Sequence, residues 1–107
     1  MPKFLIEASY ESQGAKGLAK EGGSSRRAFI GDLVKKSGGT LECFYYAFGA
    51  ADVYAIFDMP DPTSALAMSI AINASGAVKL RTTPLISVEE VDAAAKMQVA
   101  YRAPGAA

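Results

Sequence analysis

The fold is decided by residues 40–59, which read Thr-Leu-Glu-Cys-Phe-Tyr-Tyr-Ala-Phe-Gly-Ala-Ala-Asp-Val-Tyr-Ala-Ile-Phe-Asp-Met. Two runs rich in aromatic and β-branched residues, 40–48 and 52–59, flank the short segment 49–51, and such runs predict two β-strands. A connection this short turns the chain straight back, so the two strands are expected to be antiparallel neighbours. This hairpin disfavours an all-parallel sheet.

Outward from the hairpin toward the N-terminus, the sequence predicts one strand and one interrupted helix. Residues 3–10 alternate in polarity, which indicates a strand, and residues 15–36 carry apolar side chains at helical spacing. Gly22-Gly23 falls inside the helical segment at a cost of about 1 kcal/mol per glycine relative to alanine, so we expect a kinked or split helix. Gly38-Gly39 predicts its end.

Toward the C-terminus, Asp61-Pro62 supplies a helix cap and a first-turn proline, which predicts a helix from about Pro62 to Ala74. Apolar residues on several sides of this helix predict burial on more than one side. Residues 77–83 predict a fourth strand that Pro84 limits, and the capping box at 87–90 begins a last helix to about Met97. The sequence thus predicts one domain over 1–98 and an irregular tail over 99–107.

The predicted order is strand, helix, strand, strand, helix, strand and an additional C-terminal helix. Two split βαβ units in this order predict an α+β, ferredoxin-like βαββαβ sandwich, with a four-stranded antiparallel sheet and the two main helices on one face. In that arrangement the first strand lies between the third and the fourth.

Composition excludes several classes of function. The chain has 107 residues, enough to bury about 65% of its unfolded surface in one core. Eleven basic and eleven acidic residues cancel, so we expect no nucleic-acid and no membrane partner. A single cysteine and no histidine exclude a disulfide framework, a cysteine-only zinc site and a histidine-ligated metal or haem, and we expect no metal and no cofactor. Without a signal peptide or a membrane-spanning segment, a cytoplasmic location is expected.

Alternation along the strands assigns each residue to one of two sheet faces. The face under the helices is predicted to hold Phe4, Ile6, Ala8, Cys43, Tyr45, Val53, Ala55, Phe57, Val78 and Leu80. The open face, meaning the side of the sheet away from the helices, is predicted to hold Leu5, Glu7, Glu42, Phe44, Tyr46, Phe48, Tyr54, Ile56, Asp58, Lys79 and Arg81. So many large apolar groups in water would promote association. We therefore expect a second copy to cover this face in a homodimer or higher oligomer, a dimeric α/β barrel whose interior holds side chains or a small molecule.

Five residues of the open face are candidates for binding a ligand. Glu7 is expected to face Lys79 or Arg81 on one neighbouring strand and Tyr54 or Ile56 on the other, and buried charges must be paired. Tyr46 and Tyr54 each combine a packing ring with a hydroxyl group that can direct a ligand. The alternative interpretation is an interfacial ion pair of purely structural value. The candidates are Glu7, Tyr46, Tyr54, Lys79 and Arg81.

Two further segments have a functional and a structural interpretation. Free backbone N–H groups, two hydroxyls and two guanidiniums at 24–27 would suit a phosphate or carboxylate, and the anion-binding candidates are Ser24, Ser25, Arg26 and Arg27. Alternatively, the glycine pair permits close packing and the arginines lie on the surface. Gly49 and Asp52 are expected to form the hairpin turn, with positive φ at the glycine and hydrogen bonds to the aspartate. Alternatively, the Asp52 carboxylate lies at the mouth of the barrel.

These segments resemble a known family. The matching stretches are Lys20 to Arg27, Gly39 to Phe48 leading into Gly49 and Asp52, Asn73 to Val78, and Thr82 to Leu85, and together they resemble the GYD domain family from Phe4 to about Ala95. The family is named for a Gly-Tyr-Asp element at the second hairpin turn. Here that element is Gly49-Ala50-Ala51-Asp52, so no tyrosine role carries over. The resemblance implies a ferredoxin-like, dimeric α/β barrel and brings no catalytic residues.

Three hypotheses of function follow. The first is an oligomeric α/β barrel protein that binds a small organic ligand between its subunits. The second is a cofactor-independent isomerase or monooxygenase, with Glu7 as the base, Arg81 stabilising an anion and Tyr46 or Tyr54 orienting the substrate. The third is a regulatory module that senses an anion through Arg26 and Arg27.

Overall fold

The structure is a computed structural model that describes residues 1–106. It contains four strands and four helices. In chain order they are β1 (Lys3–Tyr10), α1 (Ser12–Glu21), α2 (Gly23–Lys36), β2 (Thr40–Tyr46), β3 (Val53–Asp58), α3 (Pro62–Ala74), β4 (Val78–Leu85) and α4 (Val88–Ala95).

The four strands form one antiparallel sheet in the order β2-β3-β1-β4. The predicted ferredoxin-like arrangement is therefore confirmed, including the position of β1 between β3 and β4. Glu7 of β1 lies opposite Tyr54 on one neighbour and opposite Arg81 on the other, as the alternation predicted.

The hydrophobic core lies between the sheet and the helices on one of its faces. Its buried residues come from β1, β3, α2, α3 and the segment between β3 and α3, and they are Phe4, Ile6, Ile30, Val34, Ala55, Phe57, Met59, Ala65 and Met68. One buried hydroxyl, that of Ser69 on α3, forms a hydrogen bond with the Thr82 hydroxyl on β4. Because a buried polar group needs a partner, this bond fixes α3 against β4.

The first helix is split, as the glycine pair predicted. Gly22 has φ +85° and separates α1 from α2, a conformation that a residue with a Cβ rarely adopts. The predicted caps are also confirmed. The Asp61 carboxylate accepts a hydrogen bond from the Ser64 amide at 2.7 Å, and the Ser87 hydroxyl accepts one from the Glu90 amide at 3.1 Å.

A β-bulge in β2 overturns the predicted faces of that strand. Leu41 lies opposite Phe57, but Cys43 lies opposite Ile56, so Glu42 is an extra residue in the ladder. After the bulge the alternation is shifted by one residue. Phe44 and Tyr46 therefore lie under the helices, opposite Ala55 and Val53, and the prediction that placed them on the open face is wrong. The open face of β2 instead carries Glu42, Cys43 and Tyr45.

Three other expectations fail for local reasons. Residues 47–52 form a six-residue connection in which Gly49 does not have positive φ, and Phe48 is fully exposed in that connection instead of lying on the sheet. Strand β4 continues through Pro84 to Leu85, because an edge strand tolerates a residue without an N–H group. Helix α3 is buried on one side only, and its other side exposes Leu66 and Ile70.

The chain beyond β4 leaves the body of the domain. Residues 86–106, which we call the C-terminal arm, include α4, and every one of them is exposed. The molecule measures 61 × 31 × 22 Å with a radius of gyration of 17.5 Å, against about 13 Å for a compact domain of this length. Ala107, the last residue of the predicted tail, lies outside the described residues. No helix within residues 1–106 is both long and apolar enough to span a lipid bilayer.

Candidate functional site

The centre of the open face is a row of three side chains on adjacent strands. Glu7 on β1 has Tyr54 of β3 on one side and Arg81 of β4 on the other, and directly opposed residues bring their Cβ atoms to about 4.5–5.5 Å. Tyr45 of β2 extends the row because it lies opposite Tyr54. Above and below the row the face is apolar at Leu5 and Ile56 and charged at Lys79.

An ion pair occupies the middle of this row. A guanidinium nitrogen of Arg81 lies 3.5 Å from a carboxylate oxygen of Glu7, whose side chain is 22% exposed, whereas that of Arg81 is 76% exposed. At this distance and exposure the pair contributes little to stability. The arginine therefore keeps most of its five N–H donors available for another acceptor.

A second charged group lies at the end of the open face where β1 begins. The Lys3 ammonium group donates to Asp58 Oδ1 at 2.8 Å and to Glu42 Oε1 at 2.7 Å. These two hydrogen bonds raise the pKa of Lys3 to about 12, and the bond to Asp58 makes the larger contribution. Glu42, the extra residue of the bulge in β2, and Asp58 of β3 thus bind the same lysine.

A surface depression of about 800 Å³ opens at the end of the sheet where β1 ends and β4 begins. Three of the five ligand-binding candidates, Glu7, Lys79 and Arg81, line it together with Ser9 and Glu11. Its volume is within the range of sites that hold small organic molecules. Tyr54 lies beside Glu7 in the central row and does not line the depression.

Tyr46 lies on the opposite side of the sheet from the other four candidates. Its hydroxyl donates to the carbonyl oxygen of Gly23 at 2.9 Å, where α2 begins, and its ring meets that of Phe44 edge to face with centroids 5.2 Å apart. Burial raises the pKa of Tyr46 and of its neighbour Tyr10, and the nearby Arg26 guanidinium opposes both increases. The structure therefore brings four of the five candidates to the open face and separates Tyr46 from them.

The four anion-binding candidates do not converge on one surface. Ser24 and Arg27 line a depression beside β2, whereas Arg26 lies on another side of α2, with its guanidinium carbon 5.2 Å from the centre of the Phe29 ring. Consecutive residues of a helix point about 100° apart, which accounts for the separation of the two arginines.

Asp52 fixes the connection between β2 and β3 to the neighbouring strand. Its carboxylate oxygen Oδ2 accepts a hydrogen bond from the Tyr10 amide at 2.8 Å, and its own amide donates to the carbonyl oxygen of Ala8 at 2.8 Å. The predicted hydrogen-bonding role of this aspartate is therefore observed, although the partner is on β1 and not within the turn.

Sequence reasoning missed Tyr45 and Cys43 as residues of the open face. The run Phe44-Tyr45-Tyr46 is aromatic at every position, so its polarity could not show which residue points which way. Only the pairing of Cys43 with Ile56 reveals the shift. Within residues 1–106, cysteine and acidic side chains do not gather into a group of three able to hold a metal ion.

Comparison with known proteins gives one match. The family model described as "GYD domain" matches residues 4–95, most of the chain. No curated protein and no solved structure matches this chain.

Proposed function

The chain belongs to the GYD domain family, and we propose that two copies of it pack through their open faces and hold a small organic ligand between them. The observation that carries this proposal is the uncovered open face. It presents Leu5, Ile56, Tyr54 and Tyr45 together with the Glu7–Arg81 pair, and no helix of the described chain covers it. A face of this composition favours association, because burying apolar side chains is worth about 25 cal/mol per Å².

A second copy is the occupant we propose for this face, because one β-sheet can pack face to face on another. Packed sheets lie about 10 Å apart, which leaves room for one layer of interdigitated side chains. Where long side chains meet, the layer fills, and where Ser9 of the open face replaces a long one, a space remains. The depression lined by Glu7, Lys79 and Arg81 borders Ser9, so a second sheet would close it into a chamber.

The chemistry of the chamber favours a ligand with an acidic head and an apolar body. Arg81 has donors that Glu7 does not use, and Lys79 adds a second cation at the same depression, opposite in charge to Glu11 on its rim. Tyr54 and Ile56 supply apolar surface on the neighbouring strand. Partial burial by the partner would strengthen the attraction between Arg81 and a carboxylate, because water screens it less.

Native mass spectrometry of the freshly purified protein tests both parts of the proposal. We expect dimers or even multiples of them, each carrying a retained small molecule that is lost on unfolding. Arg81→Met should keep the dimer and lose the molecule, whereas the matched variant Arg102→Met should keep both. A monomer at micromolar concentration would refute the assembly, and a dimer free of any small molecule under all purification conditions would refute the chamber.

Cofactor-independent acid–base catalysis is a second candidate, favoured by the position of Glu7 between Tyr54 and Arg81. A carboxylate can accept a proton from a bound substrate while the guanidinium stabilises the resulting anion. Glu7→Gln separates the two candidates once the ligand is known. A binding protein would release the ligand unchanged from both forms, and an enzyme would convert it only in the form with Glu7.

A further inference from the structure

The C-terminal arm has an apolar stripe that nothing in its own chain covers. Val88, Val91 and Ala95 recur at the spacing that places side chains along one side of a helix, and the two valines are exposed. Four more large apolar residues of the arm are also exposed, namely Ile86, Met97, Val99 and Tyr101. An eight-residue helix is too short to be stable alone in water, so α4 needs a surface to pack against.

A groove on the helical layer provides an apolar surface on which the apolar stripe of α4 could pack. It lies between α1 and α2 on one side and α3 on the other and has a volume of about 470 Å³. We call it the helical groove, and its apolar lining includes Leu18, Phe29, Leu33, Ala71 and Ile72. Phe29 is 55% exposed there, although large aromatic side chains are usually much more buried.

Arg26 is the basic side chain that lines the helical groove, and Glu21 is the acidic one. Arg26 is half-buried, its guanidinium stacks on Phe29 and lies beside the Tyr10 hydroxyl, and within residues 1–106 it forms no ion pair with a carboxylate. A half-buried guanidinium has lost part of its hydration, and an acceptor from another molecule would restore it.

The charges of the arm complement the net charge of the segment that contains α1 and α2, while the groove itself is lined by Arg26 and Glu21. Residues 11–37 carry six basic and three acidic side chains, whereas α4 carries three acidic and no basic ones. Among the acidic residues, Asp92 lies four residues after Val88 and therefore flanks the apolar stripe. Glu89 points away from the stripe toward the opposite side of the helix.

The arm and the groove of one chain lie at opposite ends of the sheet. β4 ends at Leu85, opposite Lys3, whereas the groove is bordered by Tyr10 and Val78 at the other end. Seven residue steps of a strand separate these ends by about 23 Å. The groove of a second molecule can approach the arm directly, so this distance within one chain does not prevent the contact.

We propose that the C-terminal arm of one copy docks in the helical groove of a second copy, with Val88 and Val91 over the apolar floor and Asp92 against Arg26. This contact uses the face of the molecule opposite to the open face. It therefore adds to the sheet-to-sheet association and does not depend on it.

Charge reversal with mixing tests this contact in the full chain. Asp92→Arg and Arg26→Asp each place like charges together, and each variant alone should lose the protection of the α4 amides from hydrogen exchange. In a one-to-one mixture of the two variants every arm meets a groove of opposite charge, so protection should return. The unaltered protein at high concentration should show protection of at least about tenfold over its dilute form.

Two matched variants control for charge alone. Glu89→Arg reverses a charge on the outer side of α4, and Arg27→Asp reverses the neighbouring charge of α2 outside the groove, so both should keep the protection. The arm would bind its own chain if protection of the α4 amides returned in the Asp92→Arg/Arg26→Asp double variant but not in the mixture of the two single variants. That result, or fast exchange in α4 of the unaltered protein at every concentration, would overturn the proposal. Exchange in β1 and β3 reports separately on the open face.

Discussion

The Tyr46 hydroxyl donates a hydrogen bond to the Gly23 carbonyl oxygen, 2.9 Å away and 23 positions earlier in the chain. The bond joins the end of β2 to the first residue of α2. It exists because the bulge at Glu42 turns Tyr46 toward the helices. Two adjacent tyrosines of β2 therefore have different roles, one attached to the helical layer and the other directed away from it.

This relationship predicts different effects for the two hydroxyl groups. Tyr46→Phe should lower the free energy of unfolding by about 0.5–1.5 kcal/mol, because it leaves the Gly23 carbonyl without this donor. Tyr45→Phe should leave it nearly unchanged, since within residues 1–106 that hydroxyl makes no hydrogen bond with a side chain or the backbone. Urea unfolding of both variants measures the difference. Equal losses would contradict the shifted alternation.

The close approach of Gly39 to β3 predicts a second pair of stability changes. A methyl group at Gly39 would collide with the carbonyl oxygen of Asp58 and lie 3.2 Å from Val34 Cγ1. Gly39→Ala should therefore destabilise the protein by about 1–3 kcal/mol.

Gly17→Ala is the matched control for that substitution. The space around Gly17 is open and the residue lies in α1, so alanine there should stabilise the protein by about 0.5–1 kcal/mol. Thermal unfolding of the two alanine variants should shift the midpoints in opposite directions. A downward shift for both would point to a general intolerance of the helical layer.

Stability should fall with pH above about pH 10. Hydrogen bonds to Asp58 and Glu42 raise the pKa of Lys3 from 10.5 to about 12, and burial raises the pKa of Tyr10 above 10.0. Both groups therefore keep their protons longer in the folded state than in the unfolded state. Their contribution is fully present below the unfolded pKa values and is lost as the pH rises through the folded ones.

The variant Lys3→Met measures the lysine's share of this alkaline loss. Its free energy of unfolding should decline less steeply between pH 10 and about 12 than that of the unaltered chain. Lys36→Met serves as the comparison, because Lys36 is exposed and forms no ion pair within residues 1–106. Denaturant unfolding at several pH values gives the slopes, and identical slopes for all three proteins would refute the assignment.

The proposed packing of two open faces predicts that one substitution breaks the dimer. Ile56 lies on the open face between Leu5 and Cys43, so Ile56→Arg should place a charge inside the interface and shift sedimentation toward the monomer. Leu66→Arg adds the same charge to an exposed site on α3 and should not change the sedimentation. A dimer that survives Ile56→Arg at all concentrations, in a chain that also carries Asp92→Arg to remove the proposed contact of the arm, would contradict the packing.

The candidate site was only partly predictable. The row Glu7, Tyr54 and Arg81 follows from the order of the strands and from strict alternation, and the structure has that register. The position of Tyr46 does not follow, because a bulge of one residue leaves no mark in a run of three aromatic side chains. The separation of Arg26 from Arg27 follows from the helix, in which consecutive side chains point about 100° apart, and not from their adjacency in the sequence.

The sequence by itself determined the order of the elements, the split at Gly22, the caps of α3 and α4 and the antiparallel sheet, because these depend on local backbone preferences and on short connections. Only the tertiary structure decided which face β2 presents, the partner of Tyr46, and the projection of the C-terminal arm away from the body. Those features depend on the strand that pairs with β2 and on the surfaces left uncovered, which are properties of residues far apart in the chain.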